Sequence, residues 1–246
     1  MIVVSELRKC FGTAVAVDRI GFTAEDGSIT TLLGGNGSGK TTTLRMIVGA
    51  LEPDRGSVAI DGIDVRRERV QALGCLGVLH DDFGLYPRLQ VHEQVRFGGA
   101  LHGLNGAGLD DAVERALGAL GIGHLRARLA AGLSHGERMK AALARAIVHS
   151  PRNLLLDEPT RGLDVFSVRV LRELLKRLRD AGTCILMSNH ALAEVLELSD
   201  RVVVIDRGTV LAVDSPAGLV ATAEAKDLES AFVGLVQDAA QRRIAS

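Results

Sequence analysis

Residues 1–26 alternate apolar and polar side chains, the period-two pattern of half-exposed strands. The pattern predicts two antiparallel strands, at about 2–8 and 16–24, with Phe11 in the turn between them. Ser28–Leu33 follows as a buried strand and Thr41–Val48 as a helix. Pro53–Gly56 is a turn, Ser57–Ile60 a strand ending at Asp61-Gly62, Arg66–Leu73 a polar helix and Gly77–Leu79 a short strand. His80–Gly84 is a polar loop. From Leu89 to about Val148 the period lengthens to that of helices, predicted at Val91–Leu101, Ala107–Leu120 and Gly136–Val148, with no good strand among them. The region reads as a helical insertion in an otherwise α/β domain. Beyond it, Asn153–Leu156 is an unbroken apolar run, the form of a strand buried on both faces. Then come an amphipathic helix (Val165–Asp180), a strand (Cys184–Ser188) and a hairpin of Val202–Ile205 and Val210–Val213 turning at Asp206-Arg207-Gly208. A small helix starts at Pro216, and the tail from Lys226 carries Leu228, Phe232, Leu235 and Val236 at helical spacing.

Between the strand at 28–33 and the helix at 41–48 lies Gly34-Gly35-Asn36-Gly37-Ser38-Gly39-Lys40-Thr41. It fits G-x-x-x-x-G-K-[ST] in the strand-loop-helix setting that the pattern needs. Glycines let the backbone curl so that its N–H groups face a phosphate, and the helix N-terminus adds partial positive charge. Lys40 can reach β- and γ-phosphates, and the Thr41 hydroxyl can hold Mg²⁺. The loop by itself does not separate kinase, GTPase, ATPase and transporter motor. A second signal is Asp157-Glu158, which closes the apolar run at the strand edge where open parallel sheets bind ligands. Asp157 can hold Mg²⁺ and Glu158 can take a proton from an attacking water. Other residues keep two readings. Phe11 is a packing residue or a platform for an adenine ring. Ser134, opening the helix with Gly136, is an ordinary N-cap or part of an anion site.

Composition narrows the setting. The chain has 246 residues, enough for one sizeable α/β domain or two small ones, and is 47% hydrophobic. Its net charge of −1 gives no global pull toward nucleic acid or anionic membrane. Cys10, Cys75 and Cys184 lack metal-ligand spacing and suit a reduced, cytosolic protein. No secretory signal is expected, because charge follows Met1-Ile2-Val3-Val4 at once. No apolar run approaches the ~20 residues of a spanning helix, so any membrane role has to pass through a separate partner.

Taken in order, Gly34–Thr41, Leu133-Ser134-His135-Gly136-Glu137, Asn153–Glu158, Gly162-Leu163-Asp164 and His190 resemble the motif set of ATP-binding cassette (ABC) ATPases. The resemblance covers about residues 1–224. It is closest to single-cassette subunits of bacterial sodium-extrusion and drug exporters, through Phe83–Leu89 and Ser134–Leu156. It implies an α/β fold with a P-loop NTPase (RecA-like) core, an N-terminal antiparallel β-subdomain and a helical subdomain at about 83–150, followed by a helical tail at 225–246. It implies ATP and Mg²⁺ as ligands. Gly35, Asn36, Gly37, Ser38, Gly39, Lys40, Thr41 and Thr42 would hold the phosphates, and Thr41, Asp157 and Asp81 the metal. Glu158 would be the base, assisted by Lys40 and by His190 as the γ-phosphate switch. Phe11 would stack on adenine. Two copies, or this chain and a second cassette subunit, would pair head to tail, Ser134 and Gly136 reaching the ATP held by the opposite chain. A separate transmembrane permease would dock near Asp81–Arg88, placing the chain in the cytoplasm at the inner face of the membrane. Two departures stand out. His135 and Glu137 replace the usual glycine and glutamine of the signature, and Asp81 falls where a glutamine is usual. The alternative is a soluble ATPase of the same class acting on nucleic acid or ribosomes, which the near-neutral charge and single cassette disfavour.

Overall fold

A computed structural model describes residues 1–245, so Ser246 at the end of the tail lies outside the described residues. Two sheets organise the chain. The first is antiparallel, in the order β2-β1-β4-β5, from β1 (Ile2–Phe11), β2 (Ala14–Ala24), β4 (Arg55–Ile60) and β5 (Ile63–Asp64). The second runs β10-β9-β3-β8-β7-β6, from β3 (Ile29–Leu33), β6 (Leu76–Leu79), β7 (Asn153–Leu156), β8 (Cys184–Asn189), β9 (Arg201–Asp206) and β10 (Thr209–Asp214). Its strands pair in parallel except for the β9–β10 edge hairpin. Every residue of β3, β7 and β8 is buried, as strands covered on both faces require.

Helix α1 (Lys40–Ile47) lies between the sheets, and its Leu44, Met46 and Ile47 join Ile2, Leu7 and Ile20 to Leu155, Leu186 and Val203 in one core. Helix α2 (Arg69–Gly74) follows β5. Between β6 and β7 the chain builds α3 (Val91–Leu101), α4 (Gly106–Ala119) and α5 (His135–Ile147), which share a second core with α6 (Val165–Asp180). Helices α7 (Leu192–Leu198), α8 (Pro216–Thr222) and α9 (Leu228–Ala245) complete the chain. The tail helix packs on its own molecule. Leu228 shares a third core with Val202, Val204 and Leu219, with Phe232 and Leu235 packed against it.

The first hairpin is longer than its alternation indicates. β1 runs on to Phe11, which is therefore a strand residue, and Gly12-Thr13 make the turn. Register shifts between Val4 and Lys9, with Glu6 at φ 50°, absorb the break in alternation without ending the strand. Helix α2 starts at Arg69 because the Asp64 carboxylate accepts the amides of Arg66 (2.9 Å) and Arg67 (3.0 Å), which holds that stretch in a turn. Helix α7 is an element that the sequence reading lacks, since seven residues carry too little periodicity.

Candidate functional site

The loop after β3 curls back on itself, and Ser38 N–H donates to the Gly35 carbonyl at 3.2 Å. Gly39 caps α1 at φ 106°, a conformation closed to other residues, and no side chain caps the helix. The first amides of α1 are thus left for a ligand. Lys40 turns into the loop and donates to the carbonyls of Gly34 (2.8 Å) and Gly35 (3.1 Å). Burial pulls its pKa down, against the nearby Glu158 and Asp157. Ser38 is buried and its hydroxyl has no partner, an orphan inside the loop that an anion would satisfy.

A cavity of about 410 Å³ spreads over the loop, lined by residues 36–42 and by Phe11, Ala16, Asp81, Asp157, Glu158 and Arg161. A larger cavity of about 530 Å³ lies elsewhere, over Met46, Leu51, Val58 and Val65, and contains no residue of the phosphate loop. The smaller one brings the phosphate loop together with both acids. Phe11 is 53% exposed with the Lys9 ammonium 5.9 Å from its ring centre, so it is no core residue.

The two acids end β7 against this cavity. Asp157 lies just past the buried strand, its amide donating to Leu79 O at 2.9 Å. Its carboxylate accepts from Ser188 Oγ at 2.6 Å and from the Thr41 hydroxyl. Burial raises its pKa, with Asp81 and Glu158 adding to the rise, while Ser188 opposes it. Ser188 uses the same oxygen to accept the Glu158 amide at 2.9 Å. Glu158 has φ 51°, a left-handed conformation that costs a side-chain-bearing residue roughly 1–2 kcal/mol. Its Oε2 is 2.6 Å from His190 Nδ1, which is the donor when the ring carries its proton there. The next turn is tied by Asn189, which donates to Thr160 Oγ1 at 3.2 Å and accepts from Ala191 N at 2.8 Å.

Among the described residues no three acidic, histidine or cysteine side chains form a metal cage. Thr41, Asp157 and Asp81 nevertheless line the one cavity. Mg²⁺ takes one or two carboxylates and completes its shell with water and phosphate oxygens, so this donor set fits it.

Ser134 and Gly136 lie outside that cavity. Ser134 caps α5 by accepting Glu137 N–H at 3.3 Å, while Glu137 accepts Ser134 N–H at 2.7 Å. This is a capping box, further anchored by Arg128 at 3.1 Å from Glu137. His135 reaches the other way. Its Nε2 is 2.9 Å from the Arg161 carbonyl, and its ring packs 5.1 Å from that of Phe83. Gly136 abuts the start of α6, where a Cβ would fall 2.9 Å from Ser167 Oγ. There Asp164 caps the helix, accepting Ser167 N (3.0 Å) and Ser167 Oγ (2.8 Å), and these bonds hold its pKa down.

Ser188, which links both acids, belongs to none of the sequence motifs. Its only signal is a hydroxyl following Cys184-Ile185-Leu186-Met187 in a wholly buried strand.

Comparison with known proteins agrees with this geometry. The ABC transporter family model matches residues 17–161. The ABC transporter ATP-binding protein NatA of Bacillus subtilis is 36% identical over 219 residues, 89% of each chain. The sulfate/thiosulfate import ATP-binding protein CysA of Mycobacterium tuberculosis is 36% identical over 236 residues, 96% of this chain and 67% of that protein. A solved ATP-binding subunit of an ABC transporter superposes with a TM-score of 0.89 at 24% identity, over 96% of this chain and 99% of that one, and shows the shared fold. The phosphate loop, the paired acids and the ordered motifs therefore have one source: the chain belongs to the ABC transporter family, as an ATP-binding and ATP-hydrolysing subunit.

Proposed function

We propose that this ATPase drives a separate transmembrane permease, acting as an exporter motor through ATP-dependent head-to-tail pairing of two cassettes. The observation that carries the reading is a division in space. Lys40, Thr41, Asp157 and Glu158 line the phosphate cavity, whereas Ser134 and Gly136 stand apart from it on the same molecule. Residues of the signature can serve an ATP only if that ATP is held by another chain. The partner is a second copy of this chain or another cassette.

The chemistry follows from the site. Phosphates lie along the amides of residues 35–42, and Lys40 exchanges its two loop carbonyls for phosphate oxygens. Phe11 offers its exposed face to adenine. Thr41 and Asp157, with Asp81 beside them, would hold Mg²⁺, which would supply neutralisation of charge on the phosphates. Glu158 accepts the proton of the attacking water as the water oxygen bonds to the γ-phosphorus. The bond from that phosphorus to the β-γ bridging oxygen breaks, releasing ADP and phosphate. His190 orients the Glu158 carboxylate through its 2.6 Å contact, and on the family likeness it would also meet the γ-phosphate.

The permease docks beside the loop at Asp81–Arg88. Arg145 fixes this loop by donating to Phe83 O (2.7 Å) and Gly84 O (2.6 Å), and Gln94 brackets Tyr86. Tyr86 and Phe97, edge to face at 5.8 Å, stay 53% and 42% exposed as an apolar seat. Among the described residues no helix is long and apolar enough to cross a membrane. The position proposed, at the cytoplasmic face through that partner, rests on the family likeness. Export, the direction proposed, rests on the likeness of Phe83–Leu89 and Ser134–Leu156 to exporter subunits.

Glu158→Gln tests the pairing. With its base removed, the protein should bind Mg-ATP, largely stop turnover and double its mass by light scattering only when Mg-ATP is present. A monomeric mass with bound ATP, in the presence of the permease as well as without it, would overturn head-to-tail closure. Normal turnover would place the base elsewhere.

A further inference from the structure

Taking the cavity over residues 36–42 as the ATP site, we infer that Arg243 in the tail helix is a positioning residue for the phosphate loop. It acts through the β9–β10 hairpin, so that the tail sets nucleotide affinity. The hairpin tip is wedged between two walls of that cavity. Gly208 N–H donates to Ser38 O at 2.8 Å, and Gly208 O accepts the Asp18 amide at 2.7 Å. The fit leaves no slack, because Gly208 has φ 78° and a Cβ there would fall 2.6 Å from Ala16 O. On its other side Gly208 Cα is 3.4 Å from where a Cβ on Gly39 would sit. Any shift of the tip therefore moves Ser38 and Gly39 of the loop, or the β2 segment that carries Ala16.

The tip needs holding. β10 is an edge strand, and Arg207 at φ 45° adds a strained residue to the turn. The fork of Arg243 supplies the hold. Nη1 donates to Asp206 Oδ2 at 2.8 Å, and Nη2 donates to Asp206 O and Thr209 Oγ1, each at 3.3 Å. It thus grips the residues on both sides of the Arg207-Gly208 tip, and Thr209 Oγ1 closes the turn by donating to Asp206 O at 2.9 Å. A planar guanidinium can make these contacts together; an ammonium cannot. The grip has an anchor of its own, since Leu228, Phe232 and Leu235 fasten α9 to β9 and its neighbours. Sequence-distant elements are linked in this order: tail helix, hairpin, phosphate loop. Whatever pulls on the tail, such as a docking partner, reaches the ATP site by this path.

The test uses the full-length protein and two readouts, Mg-ADP affinity by calorimetry and hydrogen exchange at the Gly208 amide. Mg-ADP probes the loop without turnover or pairing. Arg243→Ala should weaken Mg-ADP binding by about fivefold, the low end of a two-site coupling, and speed Gly208 exchange. Asp206→Asn should do the same to a smaller degree, and Arg243→Lys should fall between wild type and alanine. Arg242→Ala, one residue along the same helix, should leave both readouts unchanged. A folded Arg243→Ala protein with wild-type affinity and wild-type Gly208 exchange would overturn the brace, as would equal effects from Arg242→Ala. If wild type fails to bind Mg-ADP, the ATP assignment of the cavity falls, while Gly208 exchange still decides whether Arg243 holds the tip.

Discussion

Replacing Ser188 by alanine removes one oxygen and undoes two contacts at the reaction site. Ser188 is fully buried, donates to Asp157 and accepts the Glu158 amide. Losing the bond to a buried carboxylate costs about 1.5–3 kcal/mol, and stranding the amide costs about 1–3 kcal/mol more. Asp157 keeps the Thr41 hydroxyl, and the Glu158 backbone can relax from its left-handed conformation, which returns roughly 1–2 kcal/mol. The net loss is then about 2–3 kcal/mol, which for a chain of this size lowers Tm by about 5–10 °C. That relaxation is also the functional damage, because it withdraws the carboxylate from His190. Turnover at saturating Mg-ATP should fall by about 10- to 100-fold while nucleotide affinity, set mainly by the loop, changes less. Thermal unfolding of the nucleotide-free protein and steady-state ATPase assays on the same preparation read the two effects. A Tm within 1 °C of wild type together with unchanged turnover would refute the claim that this hydroxyl holds the acids.

Two further predictions concern charge. Burial first, then Asp81 and Glu158, raises the Asp157 pKa, so ionised Asp157 works against the fold at every pH above that raised value. Asp157→Asn should therefore raise the Tm of the nucleotide-free protein at pH 7, by about 2–4 °C, while abolishing Mg-dependent ATPase; a lower Tm would show that the carboxylate is structural. His149 is the converse case. Burial and the neighbouring His102, stacked at 3.5 Å, hold its pKa down at about 4. The unfolded chain takes up the proton near pH 6.5 and the folded one does not, so stability is intact above 6.5 and is lost as pH falls toward 4. After discounting for screening at its partly open side this loss is about 1–2 kcal/mol. His149→Phe should flatten that part of the stability curve, measured by urea unfolding at pH 6.5 and 4.5; an unaltered slope would refute the assignment.

The phosphate loop, the paired acids and most of the strands were legible because each is written in contiguous residues, whereas the order β10-β9-β3-β8-β7-β6 is set by pairing between distant segments. A glycine loop between a buried strand and a helix needs no distant partner to be recognised, and neither does a four-residue apolar run that ends in Asp157-Glu158. Val91–Leu101 and Val165–Asp180 match their predicted bounds because several turns of apolar spacing outweigh end effects. What escaped depends on pairing across the chain. Ser188 is 31 residues from Asp157, and Arg243 is 37 from Asp206, so no local pattern marks either. Phe11 was misplaced because strand extension past Arg8 is decided by pairing with β2, where Cys10 lies opposite Val15 and Phe11 opposite Ala14, and by bulges, not by alternation.

The altered signature shows how a departure in sequence can leave the donor geometry in place. A free glutamate at the start of α5 would repel a phosphate, but the Glu137 carboxylate is spoken for. It accepts the Ser134 amide at 2.7 Å and an Arg128 nitrogen at 3.1 Å, and the first of these contacts leads the causes that hold its pKa down. The capping box uses the Ser134 and Glu137 amides and one lone pair of the Ser134 hydroxyl. It leaves the hydroxyl proton free to donate, and the Gly136 amide, at the second position of the helix, has no intrahelical acceptor. Those are the two donors the proposed trans contact needs. His135 loses nothing by filling the position of the usual glycine, since its ring lies over Gly162 and bonds the Arg161 carbonyl, away from the open amides. The arginine and the capping box thus neutralise in place the charge that the glutamate introduces, and the anion-facing end of α5 remains available.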